Sequence, residues 1–500
     1  MGSFIKGTIF LMFVIFLSKL FGFLYRIQFM RIAGEEAVGL YMTSYPTFIF
    51  FIAVVQLGVP IAVAKMIAEY QAKGKHDTVQ AIMKTAIRIS LLALIVLLPV
   101  IILVTPFIAT TLLHDAGLVY TLYIAAGTVP IVVFSSLYKA YLQGLAKIAP
   151  TAWAQMLEQL VRIALIALLL PVIVSPNPAL TAAAAMGITA IGEVFSLAFL
   201  YFHYVRAKPK VKKPTQASFP TGPIFSIALP SAGSRLFGTF TWFLEPIIFL
   251  KALTVSGLAA ASATTLYGII SGVHIPLLLF PSFIPNALAI VLIPAVSDAM
   301  ARQSHTLVNT RIELSLRLSS IIGCFAATYF FLHGDELTMR LFDLEENRGY
   351  MKILAPIFYF YYVQSPLHSI LQAVDSARAA MMNSVYGGIG KLFILFVLAS
   401  QPFIQERGAI IAIGFGVLIT SFLHIATIRQ HPRIATGFRI FVIPYGVFIV
   451  TCLLQSYFIT TESFITSSII TILITSLLLL VTKQIRYSDF RYLRSIFSLL

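Results

Sequence analysis

Charge is scarce in this 500-residue chain: Asp, Glu, Lys and Arg together make up 11% of it, against 59% hydrophobic residues. A water-soluble enzyme of this length carries roughly a quarter charged residues, so that class is excluded at the outset. Cysteine is also nearly absent. Cys324 and Cys452 show no metal-ligand or redox spacing and read as packing residues. No cluster of His with carboxylates, no nucleophile elbow and no phosphate loop in proper context is present, so the sequence names no catalytic residue, no metal site and no resident cofactor.

What the chain has instead is long apolar runs, repeatedly near the roughly 20 residues that cross about 30 Å of hydrocarbon. Continuous runs, rather than short alternating segments, specify helices, because backbone amides in lipid must bond within their own segment. The expected class is an all-α polytopic membrane protein. Spans are predicted at 5–30, 38–65, 89–110, 118–139, 152–174, 181–205, 224–250, 262–296, 317–333, 351–372, 383–401, 408–428, 438–460 and 463–482, about 14 transmembrane helices. The N-terminal run, interrupted by Lys19 and lacking a small-residue cleavage site, reads as the first helix and not as a signal peptide.

Acidic residues are outnumbered by basic ones, 19 to 35, giving a net charge of +16. This excess does not point to nucleic acid, because it is sorted by side of the membrane. Alternate loops hold Lys6; then Lys65, Lys73, Lys75, Lys84 and Arg88; then Lys139 and Lys147; then Arg206, Lys208, Lys210, Lys212 and Lys213, and so on to Arg494. The opposite loops are poor in basic residues, and one of them, 333–350, is acidic. By the positive-inside rule both termini are cytoplasmic, in agreement with an even number of spans. The tail from Arg486 onward, with Arg491, Arg494 and aromatics, is expected on the inner leaflet among membrane lipids.

Residues 68–90 resemble 297–319, and "SKLFG" at 18–22 matches "SRLFG" at 234–238. Two six-helix halves entering the membrane in the same sense explain both matches. The expected organisation is an N-lobe over 1–205, a basic linker over 206–223, a pseudo-symmetric C-lobe over 224–428, and two further helices with the basic tail over 429–500.

The matched motif sets Lys19 and Arg235 at equivalent positions, each about 16–20 Å from its cytoplasmic end at 1.5 Å per residue. An intramembrane cation costs about 2.5–3.5 kcal/mol when it faces lipid, so each needs a partner or a hydrated cavity. Arg26, seven residues beyond Lys19, extends the positive track. Lys19, Arg26 and Arg235 are therefore candidate binders of an anionic substrate; the competing assignment has Lys19 snorkelling to the interface and Arg235 paired with a carboxylate. Glu245 lies ten residues from Arg235 and precedes Pro246, which leaves it a candidate for proton or sodium ion coupling or for a structural ion pair. Gln56, His274, Asn286, Gln364, His368 and Lys391 either line a cavity or make hydrogen-bonded helix contacts. Glu158 and Glu193 receive no assigned function. The span holding Pro276, Pro281, Pro285 and Pro294 is expected to bend.

The run "RIAGEEAVGLYMTSYPTFIFFIAVVQLGVPIAVAKMIAEYQAKG", with "ALPSAGSRLFGTFTWFLEPIIF" and "LIPAVSDAMARQ", resembles the stage V sporulation protein B-like branch of the polysaccharide exporter family. That branch lies within the multidrug, oligosaccharidyl-lipid and polysaccharide exporter superfamily and is related to lipid II flippases. The resemblance implies fourteen helices in two lobes, alternating access, a bacterial cytoplasmic membrane location, and a lipid-linked glycan of the undecaprenyl-pyrophosphate type, such as a peptidoglycan precursor, as cargo. Related flippases use cavity arginines on helices 1, 2 and 8. Here Lys19 and Arg26 match on helix 1, while helices 2 and 8 offer Gln56 and His274 or Asn286, and Arg235 supplies charge from helix 7. Two other functions are consistent with the sequence: an ion-coupled multidrug exporter of organic cations, and a non-transporting scaffold that recruits cell-wall synthesis enzymes.

Overall fold

The computed structural model describes residues 2–208, 219–431, 434, 437–458 and 463–486. Most of the 206–223 linker and the tail beyond Arg486 lie outside the described residues. Among the described residues the regular structure is helical, without strands: α1 Gly2–Gln56, α2 Val59–Ala72, α3 His76–Phe107, α4 Leu118–Gly144, α5 Ile148–Leu168, α6 Leu170–Ile173, α7 Pro178–Ala207, α8 Thr221–Val255, α9 Ala260–Ile269, α10 Ile275–Leu279, α11 Phe283–Ala301, α12 His305–Phe342, α13 Tyr350–Ala373, α14 Ala377–Ala399, α15 Glu406–Arg429, α16 Arg439–Phe458 and α17 Phe464–Val481.

Among the described residues, eleven helical stretches are long and apolar enough to cross a membrane, against the fourteen expected for the whole chain. The difference has local causes. The first two expected spans run together as α1, which turns at Gly34 (φ 77°, ψ 170°), a conformation that excludes most side chains. Neither α5 nor α13 is among the eleven, because each carries polar groups in its apolar run: Glu158 and Arg162 in α5, and a succession of buried tyrosines in α13. The proline-rich span, expected to bend, is interrupted as an α-helix. Between α9 and α11 the chain passes through a π-helical turn at Ile270–His274, the short α10 and a 3-10 turn at Phe280–Ser282. The acidic segment 333–350 differs from expectation, since helix continues to Phe342. Its Asp335 is buried, and its Oδ1 accepts a hydrogen bond from Met351 N–H at 3.1 Å, occupying a donor that α13's first turn would otherwise leave open.

Contacts divide the chain into two compact units, one of Phe13–Gly272 and the other of Val273 onward together with the start of α1 up to Met12. In the unit running from Phe13 to Gly272, α1 ends at Gln56 and the chain turns through Leu57 (φ 47°) and Gly58 (φ 72°) into α2. A side chain at Gly58 would meet the Ala228 carbonyl at 2.3 Å, so glycine lets the α8 backbone lie directly against this corner. Aromatic contacts extend the same seam: Phe50 stacks on Phe243 at 4.9 Å, and Tyr45 meets Trp242 at 5.9 Å. These contacts bind α8 to the α1–α2 corner of this unit.

The other unit is organised by α12 and α13. Tyr359 donates to Phe441 O at 2.7 Å, and His333 Nε2 pairs with Thr471 Oγ1 at 2.7 Å. Thr471 in turn donates to Gln455 Oε1 at 2.6 Å, which ties α12, α16 and α17 together by side-chain bonds where apolar surface gives little drive to associate in lipid. Cys324 and Cys452 are free thiols buried in the apolar cluster of this unit.

Candidate functional site

A cavity of about 580 Å³ opens inside the Phe13–Gly272 unit. Five helices contribute polar groups to its wall: Gln56 from α1, Ser136 and Lys139 from α4, Glu158 from α5, Glu193 from α7 and Arg235 from α8. The remainder is largely apolar, including Ile49, Ile52 and Leu200.

Arg235 and Gln56 face each other across the α1–α8 seam. Arg235 Nη1 donates to Gln56 Oε1 at 2.7 Å, and Gln56 Nε2 donates to Ser136 Oγ at 3.0 Å. Ser136 passes the chain on to Val133 O at 2.7 Å. The two ends of the amide thus have different partners, which fixes which end faces the guanidinium. Gln56 is buried, 3% exposed, whereas Arg235 is exposed to the cavity. Among the described residues the partner of Arg235 is a neutral oxygen. That contact orients the guanidinium without cancelling its charge, leaving a planar donor group suited to an oxyanion. Sequence reading offered a carboxylate as the alternative partner, and the observed arrangement is different.

Lys139 stands on the same wall. The sequence placed it in a cytoplasmic loop, but α4 continues to Gly144 and carries Lys139 in the helix with its side chain at the cavity. Among the described residues it makes no ion pair.

Behind the far wall Arg162, which does not itself line the cavity, joins two carboxylates that do, through one nitrogen. Its Nη2 lies 2.8 Å from Glu158 Oε1, one turn earlier on α5, and 3.1 Å from Glu193 Oε1 on α7. Gly192 makes this approach of helices possible, since a Cβ there would stand 2.9 Å from Arg162 Cγ. The three side chains are only 11–15% exposed.

The other residues singled out from sequence lie elsewhere. Lys19 and Arg26 are half-buried on α1 and are not among the residues lining this cavity. Arg26 donates to Ser271 O at 3.3 Å and approaches Met42 Sδ at 3.7 Å. Glu245 is half-buried in α8, within electrostatic reach of Tyr267. In the other unit, His274 is buried against the Tyr350 ring at 5.2 Å, and Asn286 Nδ2 reaches Ser282 Oγ at 3.5 Å. Gln364 donates to Val417 O and Ser421 Oγ on α15, His368 Nε2 lies 3.1 Å from Gln372 Nε2, and the Lys391 stem lies against Gly416. Gln364 therefore makes a helix-to-helix hydrogen bond, and so ties α13 to α15.

Comparison with known proteins agrees with this architecture. Residues 4–300 match the family described as polysaccharide biosynthesis protein. The chain is 33% identical over 460 residues to stage V sporulation protein B of Bacillus subtilis (strain 168), covering 91% of this chain and 89% of that one. It is 24% identical to the lipid II flippase MurJ of the same organism, covering 85% of this chain and 82% of that one. Among solved structures, the inward closed conformation of lipid II flippase MurJ superposes with a TM-score of 0.68 at 12% identity, covering 96% of this chain and 99% of that one, which is a likeness of fold. This multi-pass membrane protein belongs to the polysaccharide biosynthesis protein family, in the branch represented by stage V sporulation protein B.

Proposed function

We propose that the chain is a flippase that moves an anionic, lipid-linked glycan precursor from the cytoplasmic to the outer leaflet by alternating access, with the pyrophosphate held in the Arg235 cavity. The observation that carries this reading is the charge on and immediately behind the cavity wall: Arg235 and Lys139 line it, and its two acids, Glu158 and Glu193, are both held by Arg162 behind them, so the five groups together carry a surplus of one positive charge. A wall of this sign attracts a phosphate and repels an organic cation, which disfavours a drug exporter of the usual cationic cargo. Gln56 and Ser136 are neutral partners that leave the surplus intact.

Family membership and the resemblance to a lipid II flippase support a lipid-linked cargo, with the polyprenyl tail remaining in the bilayer. The inside-negative potential would favour outward movement of an anion by about 2.3 kcal/mol per charge per 100 mV. The sorting of basic loops supports a bacterial cytoplasmic membrane location with both termini inside. On this reading the protein performs no covalent chemistry, and cell-wall synthesis enzymes would act before and after it.

The test is a flipping assay in proteoliposomes, using a fluorescent polyprenyl-pyrophosphate disaccharide whose outer-leaflet fraction is read by quenching. Wild type should exchange the probe, and Arg235→Ala should slow exchange at least tenfold while its thermal unfolding stays within a few degrees. Equal rates for a folded Arg235→Ala variant, or no exchange by wild type, would remove the cavity from the mechanism or the activity from the protein, respectively.

A further inference from the structure

We infer that Glu158 and Glu193 share one exchangeable proton, which makes the Arg162 triad the proton-coupling site of the transporter. This rests on the transport reading above. Nothing in the sequence singled the triad out for function.

The argument begins with charge balance. Arg162 supplies one positive charge to two carboxylates, all three side chains being 11–15% exposed. Its Nη2 serves both carboxylates, and its Nε is buried without a hydrogen-bond partner, so the cation engages each acid through a single contact instead of a two-pronged one. Both acid oxygens are thereby drawn to the same nitrogen. Two ionised carboxylates so close, in a site nearly removed from water, leave a net negative charge that the membrane interior penalises, and one proton removes it. A metal cation is the poorer neutraliser, because the guanidinium occupies the position between the two acids.

Neighbouring charges are few and can be named. Lys139 on α4 and Arg235 on α8 line the same cavity, and Tyr25, Tyr41 and Tyr45 on α1 lie within electrostatic reach of Arg162. The two cations stabilise the deprotonated pair, so loss of the proton is possible without disrupting the fold. Access comes from the cavity, on whose wall both Glu158 and Glu193 stand.

The coupling follows from sharing a cavity. A pyrophosphate entering beside Arg235 and Lys139 draws their field away from the acids, which favours proton uptake. Proton release restores the cations' partner and favours departure of the anion. Substrate and proton would therefore be taken up together and released together.

Two measurements test this separately from the flipping activity. In nanodiscs, infrared difference spectra of wild type across a pH titration should show a protonated-carboxyl stretch that disappears as pH rises. Glu193→Gln and Glu158→Gln should each lack that component, because the single remaining acid is matched by Arg162; failure of one variant to fold leaves the other to decide. In proteoliposomes, a one-unit pH gradient is about a tenfold difference in proton activity across the membrane. It should alter the wild-type flipping rate and leave the rate of either variant unchanged. Spectra in which both variants keep the titrating component overturn the proposal, as does a wild-type rate indifferent to the gradient. If no probe is flipped at all, the transport reading fails while the infrared result still decides the shared proton.

Discussion

Gly192 of α7 lies so close to Arg162 of α5 that a Cβ built on it would stand 2.9 Å from Cγ and 3.2 Å from Nε. The neighbour on one side is a guanidinium held by two carboxylates, and on the other the Glu158 carbonyl at 3.3 Å. Neither can move without breaking the triad. Gly192→Ala should therefore destabilise the protein by about 1–3 kcal/mol, the usual cost of overpacking, although alanine is the better helix former. Gly187→Ala on the same helix, where a Cβ meets nothing within 4 Å, is the control and should be neutral or slightly stabilising. Thermal unfolding in detergent compares the two; equal effects would mean that the helices separate easily and that the triad is loosely held.

Gln56 orients Arg235 with a neutral oxygen, and the sign of a substitution there reports on the use of the charge. Gln56→Glu keeps the shape and the Arg235 hydrogen bond, gives up the N–H donated to Ser136, and places a carboxylate 2.7 Å from the guanidinium. It should preserve or improve thermal stability while weakening capture of an anionic probe. Losing one charge-assisted contact, worth about 1.5–3 kcal/mol, corresponds to roughly a tenfold to hundredfold rise in the probe concentration for half-maximal flipping. Gln56→Leu removes the tether without neutralising the charge and should weaken capture less than Gln56→Glu. The reverse order would show that position, and not charge, is what Gln56 contributes.

The parts of this site differ in how far sequence exposed them. Apolar runs announced a helical multi-pass protein, and four prolines announced the broken passage from α9 to α11, because a missing N–H has the same consequence in any context. Arg235 stood out as a charge where lipid was expected. Its contact with Gln56 did not, since 179 residues separate them and no periodicity links such a pair. Lys139 was assigned to a loop because a lysine near the end of an apolar run counts as cytoplasmic until the helix end is known; α4 runs five residues further. The Glu158–Arg162 spacing of one helical turn was readable as a pair. Glu193, on another helix, was the member that turned a pair into a triad, and only packing at Gly192 brings it in.

Gly58 and Gly74 separate two costs that sequence cannot distinguish, because both are glycines at positive φ near the ends of α2 (72° and 69°). At Gly74 a Cβ would meet nothing within 4 Å, so Gly74→Ala incurs only the left-handed backbone penalty, about 1–2 kcal/mol. At Gly58 the same Cβ would lie 2.3 Å from the Ala228 carbonyl and 3.0 Å from the Ala232 nitrogen, backbone atoms of α8 that cannot rotate aside. Gly58→Ala should therefore bring the backbone penalty and, in addition, displace α8 from the corner. Because Arg235 stands one helical turn beyond Ala232 and reaches Gln56 across this corner, that displacement should also lengthen the Arg235–Gln56 contact. The expected outcome is a larger fall in unfolding temperature for Gly58→Ala than for Gly74→Ala, accompanied by slower flipping in the former alone. If both variants lost stability equally and both kept wild-type flipping, α8 would not depend on this corner for its position, and the Arg235–Gln56 contact would need another support.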